Sequence, residues 1–192
     1  TPPDGYTVRL TGENETIQDT LSQLVKMVLL AILLIYLIMV AQFQSLLSPF
    51  IVMFTLPLAF TGGLLLLWAC GFELSAIAML GFLVLAGVVV NNGIVFVDYT
   101  NQLRADGMDR RQALVETGQR RIRPILMTAL TTILALVTLA FGMGEGADML
   151  QPMAVVIIGG LTYATLLTLF VVPCMYDIFQ RKAVKVVQIE ET

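Results

Sequence analysis

The sequence predicts an all-α membrane protein: five transmembrane helices preceded by one short extracytoplasmic strand. The first observation behind this is composition. Of 192 residues, 57% are hydrophobic and only 13% are charged, with mean hydropathy +0.85. A soluble domain carries about 25% charged residues. The second is that the apolar residues fall into separate runs, each long enough at ~1.5 Å per residue to cross a hydrocarbon core of ~30 Å. The third is charge placement. Arg104, Arg110, Arg111, Arg120, Arg121 and Arg123 share one connection, and Arg181, Lys182 and Lys185 lie in the tail.

Residues 1–23 are polar. Tyr6–Leu10 (YTVRL) alternates as a strand does. One strand cannot stand alone in water, so it belongs to a sheet formed with residues outside this chain. With polar first residues and no initiator methionine, the chain reads as a piece of something larger. Asn14 or Thr16 is placed to cap the lead-in to the first helix.

The bundle is expected over 24–181, with spans at 24–41, 50–70, 76–99, 124–141 and 152–179. Lys26 snorkels at the start of the first. Ser48 is the expected N-cap of the second, with Pro49 at its start; Pro57 should kink it, and Gly62-Gly63 gives it a close-packing face. Gly71–Ser75 is a tight turn. After the third span, Asp109 caps a short interfacial helix over 110–121. Pro124 and Pro152 open the last two spans, and Gly159-Gly160 and Pro173 are packing and kink points in the fifth. Residues 182–192 form a polar tail. The positive-inside rule then puts the basic connection and the tail in the cytoplasm, the N-terminus outside, Cys70 near the outer face and Cys174 near the inner one.

No enzyme signature is present. There is no histidine, no metal-ligand cluster, no phosphate-binding glycine loop and no nucleophile elbow. The two cysteines, far apart in apolar runs, make neither a metal motif nor a disulfide framework. The arginines are accounted for by topology and lipid contact, so nucleic acid is not an expected partner. No cofactor is called for.

The polar residues at membrane depth remain. Asn91 and Asn92 stand in the run GVVVNNGIVFVDY, with nothing polar after them until Asp98. Each carboxamide offers two donors and an acceptor oxygen with two lone pairs. Gly87, Asn91 and Asp98 share roughly one helical face, while Asn92 and Gly93 point elsewhere. Gly87 and Gly93 permit neighbouring helices to approach closely. On the fourth span Thr128, Thr131 and Thr132 line one face, with Arg121 and Arg123 at its inner mouth. The set reads in two ways. The asparagines are interhelical glue, or they are part of a site that solvates a proton, an ion or a water chain. The threonine stripe alone decides little, because threonines back-bond to their own helix.

The strings GVVVNNGIVFVDYTNQLR, RRIRPILMTALTTILA, GEGADMLQPMAVVIIGGL and FVVPCMYDIFQR resemble the last membrane helices of the resistance-nodulation-division (RND) superfamily. The closest likeness is to its hydrophobe/amphiphile efflux pumps of the acriflavine-resistance type. It covers roughly 43–181, and RPILMT at 123–128 is its most specific string. The resemblance implies the eighth to twelfth helices of a twelve-helix duplicated transporter in the bacterial inner membrane. Residues 1–12 would be the last strand of a porter region. Implied partners are the N-terminal half of the same transporter, two further copies in a homotrimer, the lipid bilayer, protons, and lipophilic substrates bound in porter domains.

The family's proton relay maps onto Asn91, Asn92, Arg121 and Thr128, with Thr131, Thr132 and Asp98 as further polar lining. Its aspartate pair would lie on the absent half. Asn91 stands where the best-known drug pumps carry lysine, so it can exchange hydrogen bonds but not a salt bridge. The rival expectation is a non-transporting sensing or scaffolding domain of the same fold.

Overall fold

A break at Phe54, in the second hydrophobic run, shows how a proline shapes this bundle. The computed structural model describes residues 13–43 and 46–179. They form α1 (Glu13–Phe43), α2 (Leu47–Met53), α3 (Thr55–Ala69), α4 (Ala76–Ala105), α5 (Arg110–Ala140) and α6 (Ala147–Phe179). Pro57 has no N–H for the Met53 carbonyl one turn back. The helix breaks at Phe54, and the Thr55 hydroxyl donates to the Val52 carbonyl at 2.6 Å. Taking α2 and α3 together, five helical stretches are long and apolar enough to cross a membrane. No strand occurs among the described residues; the strand expected at Tyr6–Leu10 lies outside them.

Two of the other prolines do not open helices as expected. Pro124 does not open a helix. It lies inside α5, which joins the expected interfacial segment 110–121 and the fourth span into one helix of 31 residues. Proline's fixed φ is itself helical, so it forfeits one backbone bond without ending the helix, and membrane helices tolerate that loss. Pro152 and Pro173 likewise lie within α6. The capping expectations divide. Asp109 accepts from the Arg111 N–H at 3.2 Å; Ser75, expected only as the end of a tight turn, caps α4 by accepting from Ala78 N–H at 3.2 Å. Ser48 is buried inside α2, and Asn14 and Thr16 lie within α1. Gly71, Gly107 and Gly142, all at positive φ, end α3, α4 and α5. In each case the next N–H reaches back five residues, as Phe72 does to the Leu67 carbonyl at 3.1 Å.

α6 is the central element, packed on α3, α4 and α5, while α1 lies outermost against α4 and α2. The α3–α6 seam is made by glycines. A Cβ on Gly159 would sit 2.8 Å from the Gly62 carbonyl oxygen and run into Leu66. One on Gly62 would lie 2.9 Å from the Gly159 oxygen and run into Tyr163. One on Gly160 would lie 2.9 Å from the Ala59 oxygen. Without a hydrophobic force between helices in lipid, such backbone approach and its dispersion contacts hold the pair together. Gly93 also has a packing role, since a Cβ there would be 2.8 Å from Val52 Cγ1. Gly87 does not, because nothing lies within 4 Å of the position its Cβ would take.

Two apolar clusters fill the interior. Met39, Val52, Leu56, Phe96, Val97 and Tyr176 belong to one, and Leu67, Phe82, Leu85, Val156 and Leu161 to the other. Half of the most apolar stretch of α4 and of α6 is buried, against 11% for α1 and α5. Those two helices therefore present most of their surface outward.

Candidate functional site

Adjacent residues on a helix point about 100° apart, and the two asparagines of α4 diverge accordingly. Asn91 is exposed on the outside of the bundle. Asn92 is half-buried and lines a cavity of about 10 Å³ together with Val89, Ile125, Ala164, Thr165 and Thr168. Neither carboxamide hydrogen-bonds another described residue. Gly87, one turn before Asn91, opens on the same unpartnered face. Asp98, further along that face, is half-buried and accepts from Gln102 Nε2 at 2.8 Å.

On α5 the three threonines all back-bond. Thr128 donates to the Ile125 carbonyl at 2.9 Å, Thr131 to Met127 at 2.7 Å and Thr132 to Thr128 at 2.8 Å. Thr128 and Thr131 are exposed and Thr132 is half-buried. Arg121 crosses to α4, where its guanidinium carbon sits 4.5 Å from the centre of the Tyr99 ring. This is a cation–π contact. Its Nε is buried without a hydrogen-bond partner. The contact sets the register of the two helices, which run in opposite directions. Thr128 lies about 10 Å along α5 from Arg121, and Asn91 about 12 Å back along α4 from Tyr99, at ~1.5 Å per residue. Asn91 and Thr128 therefore stand at similar depth. The structure brings Arg121 to α4, but it leaves Asn91 facing outward.

A second polar group, at the end of the bundle where α4 meets α5, escaped the sequence reading. Tyr176 on α6, fully buried, donates a short hydrogen bond to Asn101 Oδ1 and accepts from Arg104 Nη1 at 3.2 Å. Asn101 Nδ2 reaches Ser48 Oγ at 3.5 Å, the limit of a hydrogen bond. Thr100 donates to the Phe96 carbonyl and meets the Thr117 hydroxyl at 3.0 Å. Arg110 Nε lies 2.7 Å from Asp177 Oδ1. The N–H is not directed along that contact, which makes it an ion pair rather than a linear hydrogen bond. This network ties α2, α4, α5 and α6. A polar residue near a helix end was its only mark in the sequence, which does not say which residues will meet. Among the described residues, no cluster of acidic, cysteine or histidine side chains is set to hold a metal ion.

The sequence matches the AcrB/AcrD/AcrF family over residues 1–180. The chain belongs to this family. It is thus a multi-pass membrane chain of the RND superfamily, a family of transporters and not of enzymes. Among similar proteins, the swarming motility protein SwrC of Bacillus subtilis is 40% identical over 180 residues, which are 93% of this chain and 17% of the relative. The cobalt-zinc-cadmium resistance protein CzcA of Cupriavidus metallidurans is 37% identical over 94% of this chain and 17% of its own length. The multidrug resistance protein MdtC of Erwinia tasmaniensis is 37% identical over 86% of this chain and 16% of its own. The fold matches a crystal structure of a heavy metal efflux pump with a TM-score of 0.80 at 30% identity, over 92% of this chain and 18% of that one. This RND chain thus spans about a sixth of the length of the curated relatives it matches.

Proposed function

We propose that this RND chain supplies the C-terminal half of the proton-coupling membrane region in a proton-driven exporter, as its eighth to twelfth helices. The observation that carries the reading is the outward face of α4. There Asn91, a costly polar group at membrane depth, is exposed with no hydrogen-bond partner among the described residues, beside the open Gly87. Such a face calls for a partner outside this chain. In this reading the partner is a carboxylate pair on the N-terminal half. A carboxamide donor favours ionised carboxylates, and their protonation weakens the hydrogen bond. That release lets the helices shift, which couples proton entry to export. Arg121 and Thr128 complete the relay on α5, with Thr131, Thr132 and Asp98 as polar lining beside it. The N-terminus lies outside, the basic segments lie in the cytoplasm, and the complete transporter is a homotrimer in the bacterial inner membrane.

The cargo is bound in porter domains beyond this chain. Lipophilic compounds fit the multidrug relative, and divalent metal cations fit the cobalt-zinc-cadmium relative and the heavy metal pump.

The test is proton-driven efflux by the full-length transporter at matched membrane abundance, with a lipophilic dye and with zinc as separate cargoes. Asn91→Leu keeps a helix-compatible side chain but removes the donors, and efflux of the cargo should collapse. Asn91→Asp should also fail, because a further acid crowds the pair. Near-normal efflux by Asn91→Leu would leave the asparagine as packing glue. A parent protein with no gradient-dependent efflux at all would favour the sensing or scaffolding role.

A further inference from the structure

Threonines on the helices of this protein hydrogen-bond their own backbone almost as a rule. Thr20, Thr55, Thr61, Thr100, Thr128, Thr131, Thr132, Thr138 and Thr162 each donate to a carbonyl three or four residues earlier. Thr165 and Thr168 on α6 do not. They are 6% and 4% exposed, and both hydroxyl oxygens are fully buried without a partner among the described residues. Spaced i, i+3, they share one face of α6 and line the cavity that also holds the Asn92 side chain. Val89, Ala164 and Ile125 supply the rest of its lining as hydrocarbon, and the pocket stays partly open beside the half-buried Asn92.

We infer that this cavity is a binding site for a single water molecule, held between α4 and α6 by Asn92, Thr165 and Thr168. The volume of about 10 Å³ is that of one water position. Two hydroxyls and a carboxamide give the two to four polar partners that a buried water needs. The hydroxyls can each donate or accept, and the amide does both, so the water satisfies groups whose isolation would be unfavourable. A cation is the wrong occupant. The lining carries no carboxylate, and an unpaired ion among neutral dipoles and hydrocarbon is strongly disfavoured. In consequence Asn92 is tethered inward to α6 through the water and does not share the outward face of Asn91. The inference stands whether or not the outward face couples protons.

The test is X-ray hydroxyl-radical footprinting of the intact protein in detergent, which modifies side chains next to bound water even when bulk solvent cannot reach them. Val89 and Ile125 are 2% and 4% exposed, so their modification reports water bound in the pocket they line. Both should be labelled in the wild type. Labelling should fall several-fold in Thr165→Val/Thr168→Val, which keeps side-chain volume but removes the hydroxyls, while the exposed Met127 stays unchanged. Absence of labelling at Val89 and Ile125 in the wild type would overturn the proposal. So would undiminished labelling in a double variant with native helix content. The wild-type arm stands by itself if the double variant does not fold.

Discussion

Replacing Gly159 by alanine tests whether the α3–α6 seam rests on backbone approach. The added Cβ lies 2.8 Å from the Gly62 oxygen and also meets Leu66. Ordinary C···O contacts are about 3.3–3.6 Å, so one helix must give by roughly 0.5–0.8 Å at that point. A radial gap of that size forfeits a quarter to a half of each dispersion contact across the seam. The nearest backbone obstacle is a carbonyl oxygen, which no side-chain rotation can move aside. Overpacking of this sort costs about 1–3 kcal/mol, offset by up to ~1 kcal/mol of helix propensity gained on leaving glycine. With the full offset the net loss is about 0–2 kcal/mol. Gly87→Ala is the matched control: it gains the same propensity and meets nothing within 4 Å. The two variants should differ by about 2 kcal/mol. The assay is unfolding of the chain by increasing SDS in dodecylmaltoside micelles, followed by circular dichroism. Gly62→Ala combined with Gly159→Ala should cost less than the sum of the singles, since one helix displacement relieves both clashes. A Gly159→Ala protein at least as stable as Gly87→Ala would refute the reasoning.

Tyr176→Phe removes the donor to Asn101 and an acceptor of Arg104 from a fully buried position while keeping the ring. It should lower stability by about 1–3 kcal/mol in the same SDS titration, and an unshifted midpoint would leave the network without energetic weight. For orientation, Cys70 and Cys174, both exposed, are first replaced by serine. A cysteine introduced at Thr192 should then resist a membrane-impermeant thiol reagent in right-side-out vesicles until they are permeabilised. Labelling in sealed vesicles would reverse the proposed topology.

Much of the helical layout is legible in the residues alone. A segment in lipid must satisfy its backbone internally, so five apolar runs become five helical stretches whatever their packing. Asp109 capped its helix because an N-cap is local chemistry. Gly62-Gly63 and Gly159-Gly160 were readable as a packing surface because small residues have few other uses in a membrane helix. Tertiary structure alone decided which surfaces meet. The spacing of Gly87, Asn91 and Asp98 put them on one face of α4, but it did not say whether that face turns outward or into the bundle. The same pattern of small residues at Gly87 and Gly93 leads in one case to open space and in the other to Val52. The continuity of α5 through Pro124 was likewise undetermined, since proline both starts helices and sits within them. Asn91 and Asn92 are chemically identical neighbours, yet one opens to the outside and the other to two threonines about 75 residues later on α6. That separation depends on the rotation of α4 against α6, which is set by glycine contacts such as Gly81 on the Met153 backbone and Gly160 on Leu85. Such a rotation belongs to the packed bundle and to no local stretch of sequence.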